Sequence, residues 1–290
     1  MKFVVLIAVL LFAPAICAQQ LVITTEPNAI VWIDEIRRGT TDASGKLSLT
    51  KVTPHRHTVR VRANGFKETT AALLPGRRTL AVKLVTTTDP AELAFQKAET
   101  AREKARDTAA KEAAAELYRE TIKLRRAYPA ANVGLARVLL DLEKFNDALT
   151  AIDAARAAKP VYAEASAVEG RIYRENGSLD DAVRSFRRSI REAGGLQPEA
   201  RVGLARVLED KGQFAEAVVE LRAALDQLSD SEPVIYQMLG AAYEKLEKPN
   251  EAVAAYEKYL QLAPNGSYAA AIRSILDQLK REAAGEQIIP

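Results

Sequence analysis

Histidine and cysteine, the residues that most often supply catalysis or metal binding, are scarce in this 290-residue chain. It contains one cysteine, Cys17, and two histidines, His55 and His57. On a β-strand the two histidines would be i,i+2 neighbours, and without a nearby cysteine they supply at most two metal ligands. A glycine-rich phosphate loop, a zinc-binding helix motif and a nucleophile elbow are all missing from the sequence. The sequence therefore predicts a protein that is not an enzyme and that uses neither a metal nor a cofactor.

Arginine is the residue whose spacing suggests chemistry, and that chemistry is the recognition of anions. Three arginines recur at a regular interval, each followed four residues later by an acid: Arg137 and Asp141, Arg171 and Glu175, Arg206 and Asp210. An i,i+4 ion pair contributes only about 0.2–0.5 kcal/mol to a helix, so stability alone hardly requires this repetition. A ladder of three arginines would suit an extended acidic peptide or a chain carboxylate. The alternative is that each arginine is neutralised by its own acid, and the sequence leaves both open.

A second group of arginines lies in the amino-terminal third. Alternation along a predicted strand at 57–62 places Arg56, Arg60 and Arg62 on one face, opposite Val59 and Val61. These arginines would bind phosphate or carboxylate groups of an anionic envelope polymer, or they would form a solvated outer face. Nucleic acid is not expected as a partner, because no aromatic residues are interleaved with the basic ones.

The charge of the chain divides into two parts. Residues 19–88 contain 11 Lys or Arg against 5 Asp or Glu, whereas residues 89–290 contain 29 against 33. A small basic region therefore precedes a mildly acidic one. Either the two dock on one another, or the basic region faces an anionic polymer.

The elements that position the first arginine group are helices with an internal repeat. Four alanines recur at intervals of 34 or 35 residues, each followed four residues later by a large apolar residue: Ala148 and Ile152, Ala182 and Phe186, Ala217 and Leu221, Ala252 and Tyr256. This pattern resembles the tetratricopeptide repeat (TPR) family, with repeats at 129–162, 163–197, 198–232 and 233–266. The family pattern begins with Trp or another large residue. The four repeats have Asn132, Ser166, Arg201 and Tyr236 in place of the Trp.

The resemblance implies an all-helical superhelical solenoid that binds a protein or peptide in a concave groove lined by the first helix of each repeat. The three ladder arginines would lie on those first helices. Residues 89–128 are rich in Ala, Glu, Lys and Arg and are predicted to form a degenerate first repeat or helical cap. Residues 267–285 are predicted to form a capping helix at the other end.

The region from 19 to 88 alternates apolar and polar residues and is predicted to be a small antiparallel β-sandwich. Candidate strands lie at 21–25, 29–34, 46–50, 57–62, 66–70 and 79–84. The order of motifs resembles the PEGA domain, a bacterial and archaeal extracytoplasmic module: Glu26-Pro27-Asn28-Ala29, Val31 to Asp34, Gly39-Thr40-Thr41, Pro54 to Val61, and Asn64-Gly65-Phe66. The chain departs from that pattern in lacking a glycine near Asn28 and in having Glu35 and His55 at turn positions.

The first 18 residues have the composition of a secretory signal peptide. Lys2 precedes eleven apolar residues, Phe3 to Ala13, which are too few for a permanent membrane helix. Cleavage after Ala18 would remove Cys17 and leave a mature chain without cysteine or a transmembrane segment. Acylation of Cys17 is the alternative, although the preceding Ile16 is larger than the residue expected there.

These observations predict an exported, periplasmic or extracellular, multidomain scaffold of the cell envelope. Its leading function is binding of a protein or peptide in the solenoid groove through Arg137, Arg171 and Arg206. The alternative is attachment to a cell-wall or surface polymer through Arg56, Arg60 and Arg62 of the β domain.

Overall fold

The structure, a computed structural model, describes residues 19–34, 36–52, 56–228 and 232–283. The predicted signal peptide and His55 lie outside these residues. Within the described part, nine strands are followed by eleven helices, so the predicted order of a β-rich region and a helical solenoid is confirmed. The strands are β1 Gln19–Thr24, β2 Ile30–Ile33, β3 Ile36–Thr40, β4 Lys46–Val52, β5 His57–Arg62, β6 Phe66–Lys67, β7 Thr69–Leu73, β8 Thr79–Ala81 and β9 Val85–Thr86.

The β domain is a sandwich of two sheets with a single apolar core. One sheet has the strand order β4-β1-β8 and the other β3-β2-β5-β7, while β6 and β9 form a separate pair. Leu21 and Ile23 of the first sheet and Val31, Val59 and Val61 of the second belong to one buried cluster. The expected alternation in β5 is observed, since Val59 and Val61 have no exposed surface. The expectation of a purely antiparallel sandwich was wrong, because β1 and β8 are parallel.

The helices form five hairpins and a final single helix. They are α1 Pro90–Lys104, α2 Thr108–Leu124, α3 Pro129–Asp141, α4 Phe145–Ala158, α5 Ala163–Glu175, α6 Leu179–Glu192, α7 Pro198–Asp210, α8 Phe214–Leu228, α9 Pro233–Lys245, α10 Pro249–Leu262 and α11 Ala269–Ala283. Hairpins begin at residues 129, 163, 198 and 233, the first residues of the four expected repeats. Residues 284 and 285 of the expected capping helix lie outside the described range.

Local sequence explains where these helices begin and turn. Proline occupies the first turn of five helices, where its missing N–H costs nothing. The residue that turns each repeat from its first to its second helix has a positive φ: Glu143, Gly177, Gly212 and Glu247. The turn therefore has the same left-handed conformation in every repeat, although only two repeats place a glycine there.

Close packing between the two helices of a repeat depends on paired residue sizes. Gly170 faces the ring of Phe186, and Gly240 faces the ring of Tyr256. In the other two repeats the equivalent small residue is alanine, and its partner position holds aliphatic Ile152 or Leu221. An aromatic ring therefore occurs where the missing Cβ makes room for it.

The first helices of successive hairpins lie along one side of the solenoid, with α1 against α3, α3 against α5 and α5 against α7. We call the surface formed by α1, α3, α5, α7 and α9 the first-helix face. It is the surface that the sequence predicted to line the groove.

Candidate functional site

The β domain lies against the amino-terminal half of the first-helix face. The amide of Gln96 on α1 holds the turn before β6: its Oε1 accepts from the Gly65 N–H at 2.8 Å, and its Nε2 donates to the Phe66 carbonyl at 2.8 Å. Gln96 is only 4% exposed. Both of its hydrogen-bonding groups are thus satisfied across the domain boundary, which fixes the β domain in register with α1.

Arg62 is the main charged contact between the two domains. Its guanidinium lies between two aromatic rings, 5.2 Å from the Trp32 centroid and 4.8 Å from the Phe95 centroid. It also donates to Glu68 of its own domain at 2.7 Å and to Glu99 of α1 at 3.2 Å. Burial lowers the pKa of Arg62, but the two carboxylates outweigh that effect and raise it. Arg62 is therefore a fully charged group in a paired, buried position.

Glu99 connects this contact to the interior of the helical cap. It accepts hydrogen bonds from Arg62 and from the Tyr118 hydroxyl, and Arg102 lies 3.4 Å from it. Burial raises the pKa of Glu99, but nearby arginines, chiefly Arg102 and Arg62, and the Tyr118 hydrogen bond together lower it below its usual value. The carboxylate is thus held ionised at the boundary between the β domain and α1.

Glu164, at the start of α5, is the centre of a second charged cluster. Its carboxylate accepts from Arg137 at 2.7 Å and from the Tyr162 hydroxyl at 2.9 Å. Burial raises the pKa of Glu164, but the positive charges of Arg137 and of Arg60 from the β domain lower it to about 2. Arg60 itself stacks over Trp32 at 4.2 Å. The β domain thus contributes positive charge to two acidic positions on the first-helix face.

The β2–β3 hairpin extends further along the solenoid. Ile36 packs against the apolar cluster of the later repeats. Arg37 donates to Glu103 of α1 at 2.9 Å, and Arg38 lies within electrostatic range of Glu232, which precedes α9. The hairpin therefore contacts α1 and adds positive charge within electrostatic range of the residue that precedes α9.

These contacts correct the expected environment of the β5 arginines. Arg56 is exposed, as predicted, but Arg62 is only 9% exposed and Arg60 is half-buried. Both bond to Glu68 and face the solenoid. Alternation assigned them correctly to one face of the strand. That face is covered by helices, which a strand pattern by itself does not show.

The three ladder arginines occupy three different environments. Arg137 is paired with Glu164, Arg171 is half-buried, and Arg206 is exposed. The expected i,i+4 pairs do not occur among the ion pairs of the described residues. Asp210 and Glu175 both bond to Arg174, a residue that the sequence interpretation did not single out. Arg137 and Asp210 thus find their partners in a neighbouring repeat, which periodicity within one helix does not describe.

Beyond the β domain, the first-helix face contains an open cavity of about 460 Å³. Its lining combines small and apolar residues of α9 with three cations and one acid: Arg174, Arg206, Glu209, Phe214, Val234, Gln237, Met238, Ala241, Ala242, Lys245 and Tyr268. Val234 is 43% and Tyr268 44% exposed. Because Arg174 is bonded to Asp210 and Glu175, the cavity offers an apolar floor beside the two cations Arg206 and Lys245.

The repeat pattern explains why this cavity occurs at the fourth repeat. Lys245 stands at the offset where the preceding repeats have acids, and Ala241 stands where they have arginine. The fourth repeat thus loses a bulky side chain and reverses a charge at the same place. Burial also raises the pKa of Glu209, the one acid of the lining, above its usual value.

A polar network that the sequence did not reveal replaces the large residue expected at the start of the second repeat. The hydroxyl of buried Ser166 accepts from Arg156 at 2.6 Å and donates to Glu192 at 2.7 Å. Arg156 also bonds Glu192 directly at 2.9 Å. These groups satisfy one another, so we assign the network a structural role between repeats.

The described residues show no metal centre. His57 Nδ1 lies 2.5 Å from Asp34 Oδ2, and the Thr58 N–H also donates to Asp34. Among the residues that the structure describes, no group of three His, Cys, Asp or Glu side chains is placed to hold a metal ion. The Asp34–His57 pair fixes the end of β2 against β5.

Family comparison identifies the helical part of the chain. One family model described as tetratricopeptide repeat matches residues 133–196 and 168–233, and a second model with the same description matches residues 233–265. The helical part of the chain is a TPR solenoid. The matched residues cover α3 to α10, and the degenerate hairpin α1–α2 precedes them.

Solved structures share the TPR fold at low sequence identity. A thermophilic TPR protein of Thermus thermophilus is 21% identical, with a TM-score of 0.51 over 66% of this chain and 98% of that chain. PilF of Pseudomonas aeruginosa is 14% identical, with a TM-score of 0.58 over 68% and 86%. MamA of Desulfovibrio magneticus RS-1 is 17% identical, with a TM-score of 0.51 over 62% and 98%. A search of curated protein sequences gives no significant match.

The helices of the described range are too short or too polar to cross a membrane.

Proposed function

We propose that this chain is an exported, non-catalytic scaffold of the cell envelope that holds a protein or peptide partner on the first-helix face of its TPR solenoid. The observation that carries the proposal is the open cavity at Arg206 and Lys245. It lies on the surface that TPR proteins offer to partners, beyond the part that the β domain covers. Export rests on the composition of residues 1–18, and assignment of the sandwich to the PEGA family rests on its sequence motifs.

The lining of the cavity indicates what kind of segment it binds. Arg206 and Lys245 beside an apolar floor fit an extended peptide that carries an apolar side chain next to a carboxylate. Arg206 presents a planar guanidinium suited to bidentate contact, and Met238 and Tyr268 supply adaptable apolar surface. Of the three ladder arginines Arg137, Arg171 and Arg206, only Arg206 lines this cavity, where Lys245 joins it.

Selection from a displayed library of random peptides tests this proposal. The mature chain should enrich peptides with a carboxylate beside an apolar residue, and these peptides should lose binding to Arg206→Glu and Lys245→Glu variants. Arg184→Glu is the matched control, because Arg184 is an exposed arginine on the second helix α6. Peptides that bind the parent and the Arg206→Glu variant equally would disprove a role for the cavity.

Attachment to an anionic polymer is a second candidate function, carried by a different set of residues. Arg56, Arg77 and Arg78 are exposed, and the pairing of His57 with Leu73 places them at one end of the sandwich together with exposed Leu74. Binding there should weaken steeply with salt. Arg77→Glu with Arg78→Glu should abolish sedimentation with purified envelope polymer, whereas Arg206→Glu should leave it unchanged.

A further inference from the structure

The two sides of the domain interface are chemically complementary. The β domain presents Trp32, Arg60 and Arg62, while the TPR solenoid presents Phe95 and Glu99 on α1 and Glu164 on α5: cations and an indole face acids and a phenyl ring. We call Phe95, Glu99 and Glu164 the acidic cradle. Arg62 fills it by stacking on one of its members and pairing with another.

Each domain has an apolar core of its own. The sandwich core contains only residues of the β domain, and its buried members do not include any residue of the helices. Of the β domain, Ile36 alone joins the apolar clusters of the described solenoid residues. The remaining contacts are ion pairs, hydrogen bonds and stacking. Polar interfaces of this kind between domains of one chain resemble transient protein–protein interfaces.

We propose that the β domain is a releasable occupant of the first-helix face, and that its release exposes the acidic cradle as a second binding surface. The partner that fits the cradle is a segment with arginine next to an aromatic side chain, because this is the chemistry that the β domain itself places there. The acidic cradle is distinct from the cavity at Arg206. An experiment can therefore disprove binding at one of the two surfaces without disproving binding at the other.

Trp32 provides a direct test of release, because it is the only tryptophan of the chain and lies at the interface. Glu99→Arg places a positive charge against Arg62 and should open the interface. The Trp32 emission should then shift to longer wavelength and be quenched more strongly by acrylamide. Raising the salt to about 1 M should move the parent in the same direction but by less, because partly buried ion pairs are screened less than exposed ones.

Two further variants separate opening of the interface from a general effect of the added charge. Glu116→Arg is the control, since Glu116 is an exposed acid on α2 that bonds only its helical neighbour Arg119. Gln96→Ala opens the interface by a second route, without altering charge. Retained helical circular dichroism would show that each variant folds. Unchanged Trp32 quenching in Glu99→Arg, in Gln96→Ala and at high salt would overturn the proposal.

A labelled peptide tests the partner chemistry. We would titrate acetyl-Trp-Arg-Val-Arg-amide into the parent and into a variant with Arg60→Ser and Arg62→Ser, which vacates the cradle while leaving it intact. Binding should be about tenfold tighter to the variant, since its cradle no longer competes with the β domain. Adding Glu99→Arg should remove that gain. Equal affinity for parent and vacated variant would contradict the assigned partner.

Discussion

At the scale of single residues, the TPR core depends on the pairing of glycine with aromatic rings. A Cβ added at Gly203 would lie 2.4 Å from Phe186, and one added at Gly134 would lie 2.3 Å from Tyr118. Each ring therefore packs against a glycine of the following repeat. Helix propensity alone favours alanine at these positions, so the glycines indicate a packing requirement that outweighs propensity.

We predict that Gly203→Ala destabilises the solenoid by about 1–2 kcal/mol, because overpacking against Phe186 exceeds the gain in helix propensity. Urea unfolding followed by circular dichroism would measure the change. In a Phe186→Leu background the same substitution should be neutral or stabilising, since the ring is gone. A Gly203→Ala variant as stable as the parent in the unaltered background would be inconsistent with this packing.

Glu164 makes a pH-dependent contribution to stability. Its folded pKa of about 2 lies below its usual value of 4.5. A group with a lowered folded pKa stabilises the fold above its unfolded pKa and loses that effect as pH falls through the folded value. The stabilisation should therefore be complete above about pH 5 and disappear between pH 4.5 and pH 2. After allowance for the partly exposed side chain, we expect roughly 2 kcal/mol.

The test is to compare the parent with Glu164→Gln across that pH range. The variant should be less stable by roughly 2 kcal/mol at about pH 7, and the difference should vanish near about pH 2. Glu120→Gln, which removes an exposed acid of α2, should follow the parent. Parallel stability curves for the parent and Glu164→Gln would argue against the pairing with Arg137.

Residue spacing predicted which arginines lie on the first helices of the repeats. It did not predict which acids these arginines pair with. Arg137 pairs with an acid 27 positions away, and Arg62 pairs with one 37 positions away. Both partners belong to a different element from the arginine. An i,i+4 pattern describes one helix only, so contacts made by stacking repeats and docking domains could not be predicted from it.

At the scale of elements, the strand β3 was not predicted because its sequence is unusually polar. Residues 36–40 contain two arginines and a glycine and lack the alternation of a half-buried strand. The strand forms because it pairs with β2 through an irregular register, and its side chains face the solenoid and solvent. Its stability comes from tertiary contacts, which propensity does not include.

Helix α1 acts as the docking element for the β domain, and Gln96 is its most specific contact. Gln96→Ala should leave the Gly65 N–H and the Phe66 carbonyl without their partners, which costs about 1–3 kcal/mol of docking free energy. Exchange of the Gly65 amide hydrogen, followed by NMR, should become at least about tenfold faster. Lys97→Ala, at the exposed neighbouring position, is the control. Unaltered exchange at Gly65 would show that the amide contact does not hold the domains together.

At the scale of the whole molecule, the β domain and the solenoid meet on the first-helix face. Periodicity was sufficient to predict the solenoid, because each repeat packs mainly on its neighbours and the pattern is local. The charge difference between the two regions was compatible with two predictions: that they dock on one another, or that the basic region binds an anionic polymer. The structure shows the docked arrangement, in which basic β5 lies against acidic positions of the solenoid. Docking divides the first-helix face into a covered half and an open half.

The open half of the first-helix face is the surface on which we propose that a protein partner binds. The most direct measurement is photo-crosslinking in the native host, with a photoreactive amino acid at Gln237, which lines the cavity, or at Val219, which is exposed on the second helix α8. We predict a discrete protein adduct from position 237 that is lost in the Arg206→Glu background and does not form from position 219. The same adducts from both positions, or none from position 237, would contradict the account.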